Sequence, residues 1–266
     1  MIDWSAYTLA ILPVACAMLV AWAWSLVRSD VSIVDVLWSL MFVTLAGSYF
    51  VLIDTTSSRA LLVLVMALAW ALRLSLHIAL RNHGQGEDRR YRAIRHNNQP
   101  GFAWKSLYLV FGLQALLAWF IAMPLLAAMH PGLPLGWLDV AGVALWLTGM
   151  VFEVVGDAQL ARFRSAPGTE GKVLDRGLWR WTRHPNYFGE CLLWWGFYLV
   201  ALAAGAWWTV LSPLLMTFLL LRVSGVRLLE QDIAERRPEY LAYMRSTSAF
   251  FPRPPRAREV VSGVQS

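Results

Sequence analysis

The chain is poor in the residues that most soluble catalytic folds are built on. Only two cysteines occur in 266 residues, Cys16 and Cys191, and both sit in apolar runs, so no disulfide framework is expected. Charge is also sparse. Asp, Glu, Lys and Arg make up 15% of the chain, against about 25% in a soluble domain. No Gly-x-Gly-x-x-Gly follows a strand pattern and no strands alternate with helices, which excludes a Rossmann domain. A Walker A sequence, Cys–His zinc spacing and a serine nucleophile elbow are missing as well. The histidines, His77, His83, His96, His130 and His184, are scattered, so no resident metal is expected. There is no internal repeat and no low-complexity segment.

Apolar residues are what the chain has in abundance, at 58% of the total, with a mean hydropathy of +0.50. That composition indicates an all-α polytopic membrane protein. Fifteen Trp, eight Tyr and twelve Phe suit the lipid–water boundary as well as a packed interior. Seven apolar stretches approach spanning length, at 5–27, 31–53, 60–80, 104–128, 135–155, 188–204 and 207–221. Ala204-Gly205-Ala206 alone separates the last two, which predicts a tight helical hairpin. The first stretch is too long for a cleavable signal peptide and lacks a basic leader and a clear cleavage site.

The net charge of +6 and pI of about 9.7 suggest orientation in a membrane rather than nucleic-acid binding. Twenty of the 23 Lys and Arg residues fall in the first, third and fifth connections and the tail, the last including Arg236, Arg237, Arg256 and Arg258. Arg59 is alone in the opposite connections, and Arg73 and Arg222 lie within or at the end of spans. The positive-inside rule then predicts seven spans in one integral domain (1–266), the N-terminus outside and the tail in the cytoplasm. If the cell is bacterial, the membrane is the inner one. Residues 81–103, 158–187 and 223–266 form the cytoplasmic side.

Ionisable residues inside spans mark candidate functional positions, because lipid penalises them. Here they are Asp35, Arg73, His77, Glu153, Asp157, Glu190 and Arg222, all placed by this topology in the cytoplasmic half. Either each snorkels to the headgroups or together they line a polar cavity open to the cytoplasm. Glu153, Asp157 and Arg164 recur at spacings of four and seven, hence on one helical face. Such a stripe could hold sugar hydroxyls and then a phosphate, or form an intrahelical ion-pair ladder. In Arg183-His-Pro-Asn-Tyr-Phe-Gly-Glu190, Pro185 marks the entry into the sixth span. Arg183 and His184 beside the free N–H groups of that helix would make an anion site. Asn186 can donate and accept, as a carboxamide or base edge requires. Alternatively the segment anchors the helix in the headgroups. The third connection, residues 85–95, mixes both signs with Tyr91 in helical register and reads as a solvated or lipid-facing basic surface, or as a cap over the cavity or a contact to a ligand phosphate. The tail, with Glu230, Tyr240 and Phe250-Phe251-Pro252, either closes the cavity or lies on the membrane surface.

At these residues the chain resembles the membrane-bound steroid 5-alpha-reductase-like family, from about residue 149 to 254 and more weakly in the first three spans. The Glu/Asn-x-x-x-Asp helix end matches Glu153 and Asp157, followed by Arg164; His-Pro-Asn-Tyr-x-Gly-Glu matches His184 to Glu190; Tyr…Phe-x-Pro matches Tyr240, Phe250 and Pro252. The resemblance implies NADPH on the cytoplasmic side and a steroid-like enone in the membrane half. It implies cofactor contacts from Asp157, Arg164, Asn186 and Arg222, with Glu190 in support. Glu153, Arg183, His184, Tyr187, Glu230 and Tyr240 complete the expected cofactor side. The family's substrate-facing acid falls at Asp35, with Trp38 and Trp70 lining the substrate. Its partner tyrosine on the third span has no match, since that span contains no Tyr.

The expected reaction is hydride transfer to the β-carbon of an α,β-unsaturated ketone, with a neutral Asp35 meeting the carbonyl oxygen as charge develops there. A helix-start role for Asp35 is the alternative. Isoprenylcysteine carboxyl methyltransferases share part of the His-Pro motif, so an S-adenosylmethionine-dependent methyltransferase is the enzymatic rival. A non-catalytic lipid-binding protein is the other. A monomer in contact with membrane lipids and no nucleic acid is expected.

Overall fold

A computed structural model describes residues 3–130, 132, 134–223, 225–230, 233 and 239–255, so Arg236, Arg237, Arg256 and Arg258 lie outside the described residues. No strand occurs among the described residues, as the composition predicts. The longer helices are α1 (Trp4–Arg28), α2 (Ile33–Leu52), α3 (Ser58–Asn82), α4 (Arg89–Asn97), α5 (Phe102–Met129), α6 (Trp137–Ser165), α7 (Pro185–Ala203), α8 (Trp207–Glu230) and α9 (Glu239–Ser246). Six of them, α1, α2, α3, α5, α6 and α8, are long and apolar enough to cross a membrane. The protein is an integral membrane protein. The expected sixth span forms α7 and is not among these six, because Asn186, Glu190 and a run of aromatic residues lower its hydropathy.

Two compact units emerge, one of Met1–Val140 with Phe197–Ser212, the other of Ala141–Gly196 with Pro213–Ser266. In the first, α2 and α3 pack through an aromatic row in which Phe42 meets Trp38 edge-on at 5.1 Å and Trp70 at 5.5 Å. Ser39 adds an interhelical hydrogen bond to the Ala71 carbonyl at 2.9 Å, the kind of polar contact that holds helices together where lipid offers no hydrophobic drive. α1 meets α5 where Tyr7 stacks on Trp119 at 4.3 Å and the Trp119 indole N–H donates to the Tyr7 carbonyl at 2.8 Å. Arg59 is half of a buried bidentate pair, its Nε and Nη2 on the Asp139 carboxylate at 2.8 and 3.0 Å. The hairpin expected at Gly205 forms: the Gly205 and Ala206 N–H groups return to the Leu202 and Ala201 carbonyls, with Gly205 at φ +82°. This is a Schellman stop, which a residue with no Cβ makes without strain.

In the second unit, α6 and α7 approach through glycine. Gly142, Gly149 and Gly156 recur every seven residues on α6 and face Gly196, Gly189 and Pro185 on α7. A Cβ on Gly149 would stand 2.5 Å from the Gly189 carbonyl oxygen, and one on Gly189 2.6 Å from that of Gly149. Backbones this close gain dispersion along the whole contact. Gly189→Ala should therefore destabilise the protein by about 1–3 kcal/mol through overpacking, whereas Gly47→Ala, with no atom within 4 Å of the added carbon, should not lower the thermal midpoint in detergent.

Candidate active site

The first unit carries a polar network at the start of α2. Residues 87–95 fold onto the segment that leads into this helix and occupy its free backbone groups. Glu87 Oε1 accepts from the Val31 N–H at 3.0 Å and from Arg95 Nη2 at 2.7 Å, while Arg95 Nη2 also donates to the Ser29 carbonyl at 3.1 Å. The Asp88 N–H donates to Ser32 Oγ at 2.7 Å. This clamp sets α4 over Asp35. Arg90 Nη2 donates to Asp35 Oδ2 at 2.6 Å, and the Tyr91 hydroxyl donates to Asp35 Oδ1 at 2.5 Å. Gln114 Nε2, on α5, donates to the same hydroxyl at 3.1 Å.

Burial, and next the Asp35 carboxylate, push the Tyr91 phenol well above its ordinary range, so it stays protonated. Burial works against ionising Asp88, but hydrogen bonds from Arg90 outweigh it and hold that carboxyl below its usual range. Arg89, Arg92 and His96 occupy the exposed face of α4. The third connection is thus a clamp on α2 with an exposed basic face. Asp35 acts here as an acceptor bound by two donors. One of its oxygens faces a guanidinium and the other a phenol hydroxyl.

The second unit gathers the other candidates. Glu153 and Asp157 are buried on one face of α6, beside the first turns of α7. Gly189 lets Glu153 in: a Cβ there would lie 2.9 Å from Glu153 Cγ. Asn186 Nδ2 donates to Asp157 Oδ1 at 3.3 Å, and Glu190 Oε1 accepts from the Trp194 indole at 3.1 Å. Arg164, further along the same helix, and Arg222 in α8 are exposed. The expected stripe therefore comprises two buried acids and an exposed cation.

Arg183 and His184 do not form the expected anion site. Arg183 places Nε and Nη2 on the two Glu230 oxygens at 2.7 and 2.8 Å, and Nη1 on the Met244 and Thr247 carbonyls at 2.9 and 2.6 Å. His184 Nε2 also meets Glu230, at 3.0 Å, and its ring stacks on Tyr187. With its donors taken up inside the fold, Arg183 fastens the chain after α9 to the entry of α7. The Tyr240 hydroxyl reaches Glu230 at 3.5 Å. Beside this clamp the Arg183 N–H donates to the Ser248 carbonyl at 2.9 Å and the Arg253 N–H to that of Trp181 at 3.0 Å. Phe250 is buried and Phe251 is 57% exposed.

Trp70 is fully buried and Trp38 half-buried, both in the aromatic row of the first unit. Arg73 and His77 are half-buried on α3. The reading of the sequence missed Tyr91 as the partner of Asp35, and it missed Gln114. A signal for the second was present, since Gln114 is the one amide or charged side chain between Lys105 and Met129.

Residues 21–247 match the family described as "Protein of unknown function (DUF1295)". The chain belongs to this family, which is steroid 5-alpha-reductase-like. An uncharacterized protein of Schizosaccharomyces pombe is 26% identical over 88% of this chain and 76% of its own length. The mouse 3-oxo-5-alpha-steroid 4-dehydrogenase 1 is 39% identical over 23% of this chain and 24% of its own length. The very-long-chain enoyl-CoA reductase of Dictyostelium discoideum is 29% identical over 42% of this chain and 36% of its own length. The chain thus matches well under half the length of either named enzyme. No solved structure matches the DUF1295 chain.

Removing one partner of a buried ion pair leaves the other uncompensated, so Arg183→Ala should destabilise the second unit by about 3–5 kcal/mol. Arg183→Lys should recover only part of that, because an ammonium lacks the fork that grips Glu230. Thermal unfolding, together with the rate of proteolytic cutting after α9, checks both.

Proposed function

We propose that this protein is an NADPH-dependent membrane reductase that saturates a carbon–carbon double bond conjugated to a ketone in a steroid-like lipid. The single observation that carries the reading is Tyr91: a buried, protonated phenol gripped by a carboxylate and an amide, in the same unit as the aromatic row. As a conjugated ketone is reduced, negative charge builds on the carbonyl oxygen, and a prepositioned donor there lowers the barrier. Tyr91 is that donor: its single O–H, held on Asp35 in the resting protein, turns to the carbonyl oxygen when substrate binds, while Arg90 keeps Asp35 from drifting. Trp38 and Trp70 flank the substrate's rings, and the apolar surroundings keep water from the developing enolate.

The donor set of the second unit fits a nicotinamide dinucleotide. Buried Asp157 and Glu153 offer acceptors for ribose hydroxyls, Asn186 can both donate and accept toward a carboxamide, and exposed Arg164 and Arg222 suit phosphates. Glu190 supports this group. Tyr187, His184, Arg183, Glu230 and Tyr240 shape the entry without taking a phosphate. The cofactor, when bound, supplies the hydride. The names of the mouse and Dictyostelium relatives support reduction of this kind. We take α7 as a seventh span, with the N-terminus outside, the cofactor side open to the cytoplasm and, in a bacterium, the inner membrane as its location. The protein works as a monomer among lipids.

The test is NADPH oxidation by purified protein in lipid discs supplied with a Δ4-3-ketosteroid. Wild-type protein should turn over. Tyr91→Phe should lose about 10²-fold or more in kcat, and Asn186→Ala should raise the KM for NADPH. Saturable binding of S-adenosylmethionine in place of NADPH, or no oxidation with any conjugated ketone, would overturn the proposal.

A further inference from the structure

The hydrogen bond from Gln114 to Tyr91 depends on an irregularity in α5. Within that helix, Leu107–Gly112 form a π turn, closed by the Leu113 N–H on the Tyr108 carbonyl. Gln114 is the second residue beyond it. An α-helix advances about 100° per residue, so one residue inserted into a turn rotates everything after it by about that angle. In an uninterrupted helix, position 114 would face well away from Tyr91. The turn also holds Gly112, where a Cβ would press to 3.1 Å from the Leu107 carbonyl oxygen. An amide in an apolar span is costly, and a π turn is a costly way to aim it, so the pairing calls for a reason.

The chemistry supplies one. Arg90 can only donate, and it holds Asp35 Oδ2; Asp35 Oδ1 accepts from Tyr91; Gln114 donates to the Tyr91 oxygen. The groups facing the phenol are thus Asp35 from α2, Arg90 from α4 and Gln114 from α5. Hydrogen bonds in a chain polarise one another: a phenol oxygen that accepts a hydrogen bond becomes a stronger donor through its own O–H. The Gln114 N–H therefore acts against the carboxylate and the burial that make the Tyr91 proton hard to release.

We infer that Gln114, aimed by the π turn, is a positioning residue that orients the Tyr91 hydroxyl and strengthens it as a hydrogen-bond donor. This rests on the proposed reductase reading, but it is testable apart from it. Gln114→Leu keeps the side-chain volume and removes the N–H. With 3-fluorotyrosine at position 91, the fluorine NMR titration of the phenol should shift to higher pH in Gln114→Leu. In turnover with a Δ4-3-ketosteroid, Gln114→Leu should lower kcat about tenfold at little changed KM. It should cause no further loss in a Tyr91→Phe background, because its effect passes through the phenol oxygen. An unmoved fluorine titration, or losses that add to those of Tyr91→Phe, would overturn the role of Gln114. A shifted titration in a protein that reduces no conjugated ketone would instead sustain the Gln114–Tyr91 coupling and sink the reductase reading.

Discussion

Lipid offers a polar side chain no hydrogen-bond partner, and that constraint organises this molecule. Each amide or charge among the apolar helices must find its partner within the protein or reach the headgroups. Arg59 finds Asp139, Asp35 finds Arg90 and Tyr91, and Arg183 finds Glu230 together with two backbone carbonyls. These pairings decide where connections fold back and where the tail is fastened. A buried ion pair is weak evidence of net stability, but it specifies a conformation sharply, because every alternative leaves a charge exposed to lipid.

Glycine makes the second unit possible. Two helices that bring Glu153, Asp157, Asn186 and Glu190 to one region must run close, and the heptad of glycines on α6 against Gly189 and Gly196 on α7 permits contact of backbone against backbone. The buried acids of α6 then sit directly against the first turns of α7 instead of being held off by side-chain bulk. In the first unit the equivalent device is the clamp of residues 87–95 on the start of α2. There a soluble connection, not a span, completes the polar group.

Much of the fold was legible because its signals are local. Six of the seven apolar stretches form helices long and apolar enough to span, and Gly205 and Pro185 end and begin helices where their backbone preferences require. Asp35, Glu153, Asp157, Asn186 and Glu190 stood out as polar residues in apolar surroundings. Arg183 and His184 misled for a physical reason. Beside a helix N-terminus a cation looks like an anion site, but Glu230, 47 residues away, takes the guanidinium first. The pairing of Tyr91 with Asp35 was not legible, because a tyrosine in a charged connection carries no local mark of burial.

The order of residues alone determined the apolar helices, their stops and the polar positions within them, since hydropathy and backbone preference act over a few neighbours. Tertiary structure decided which polar groups meet. The pairing of Tyr91 with Asp35, the aim of Gln114 and the capture of Arg183 by Glu230 join residues distant in the chain. Such contacts depend on helix rotation and on how connections fold back, and a single added residue in a turn is enough to redirect a side chain by about 100°.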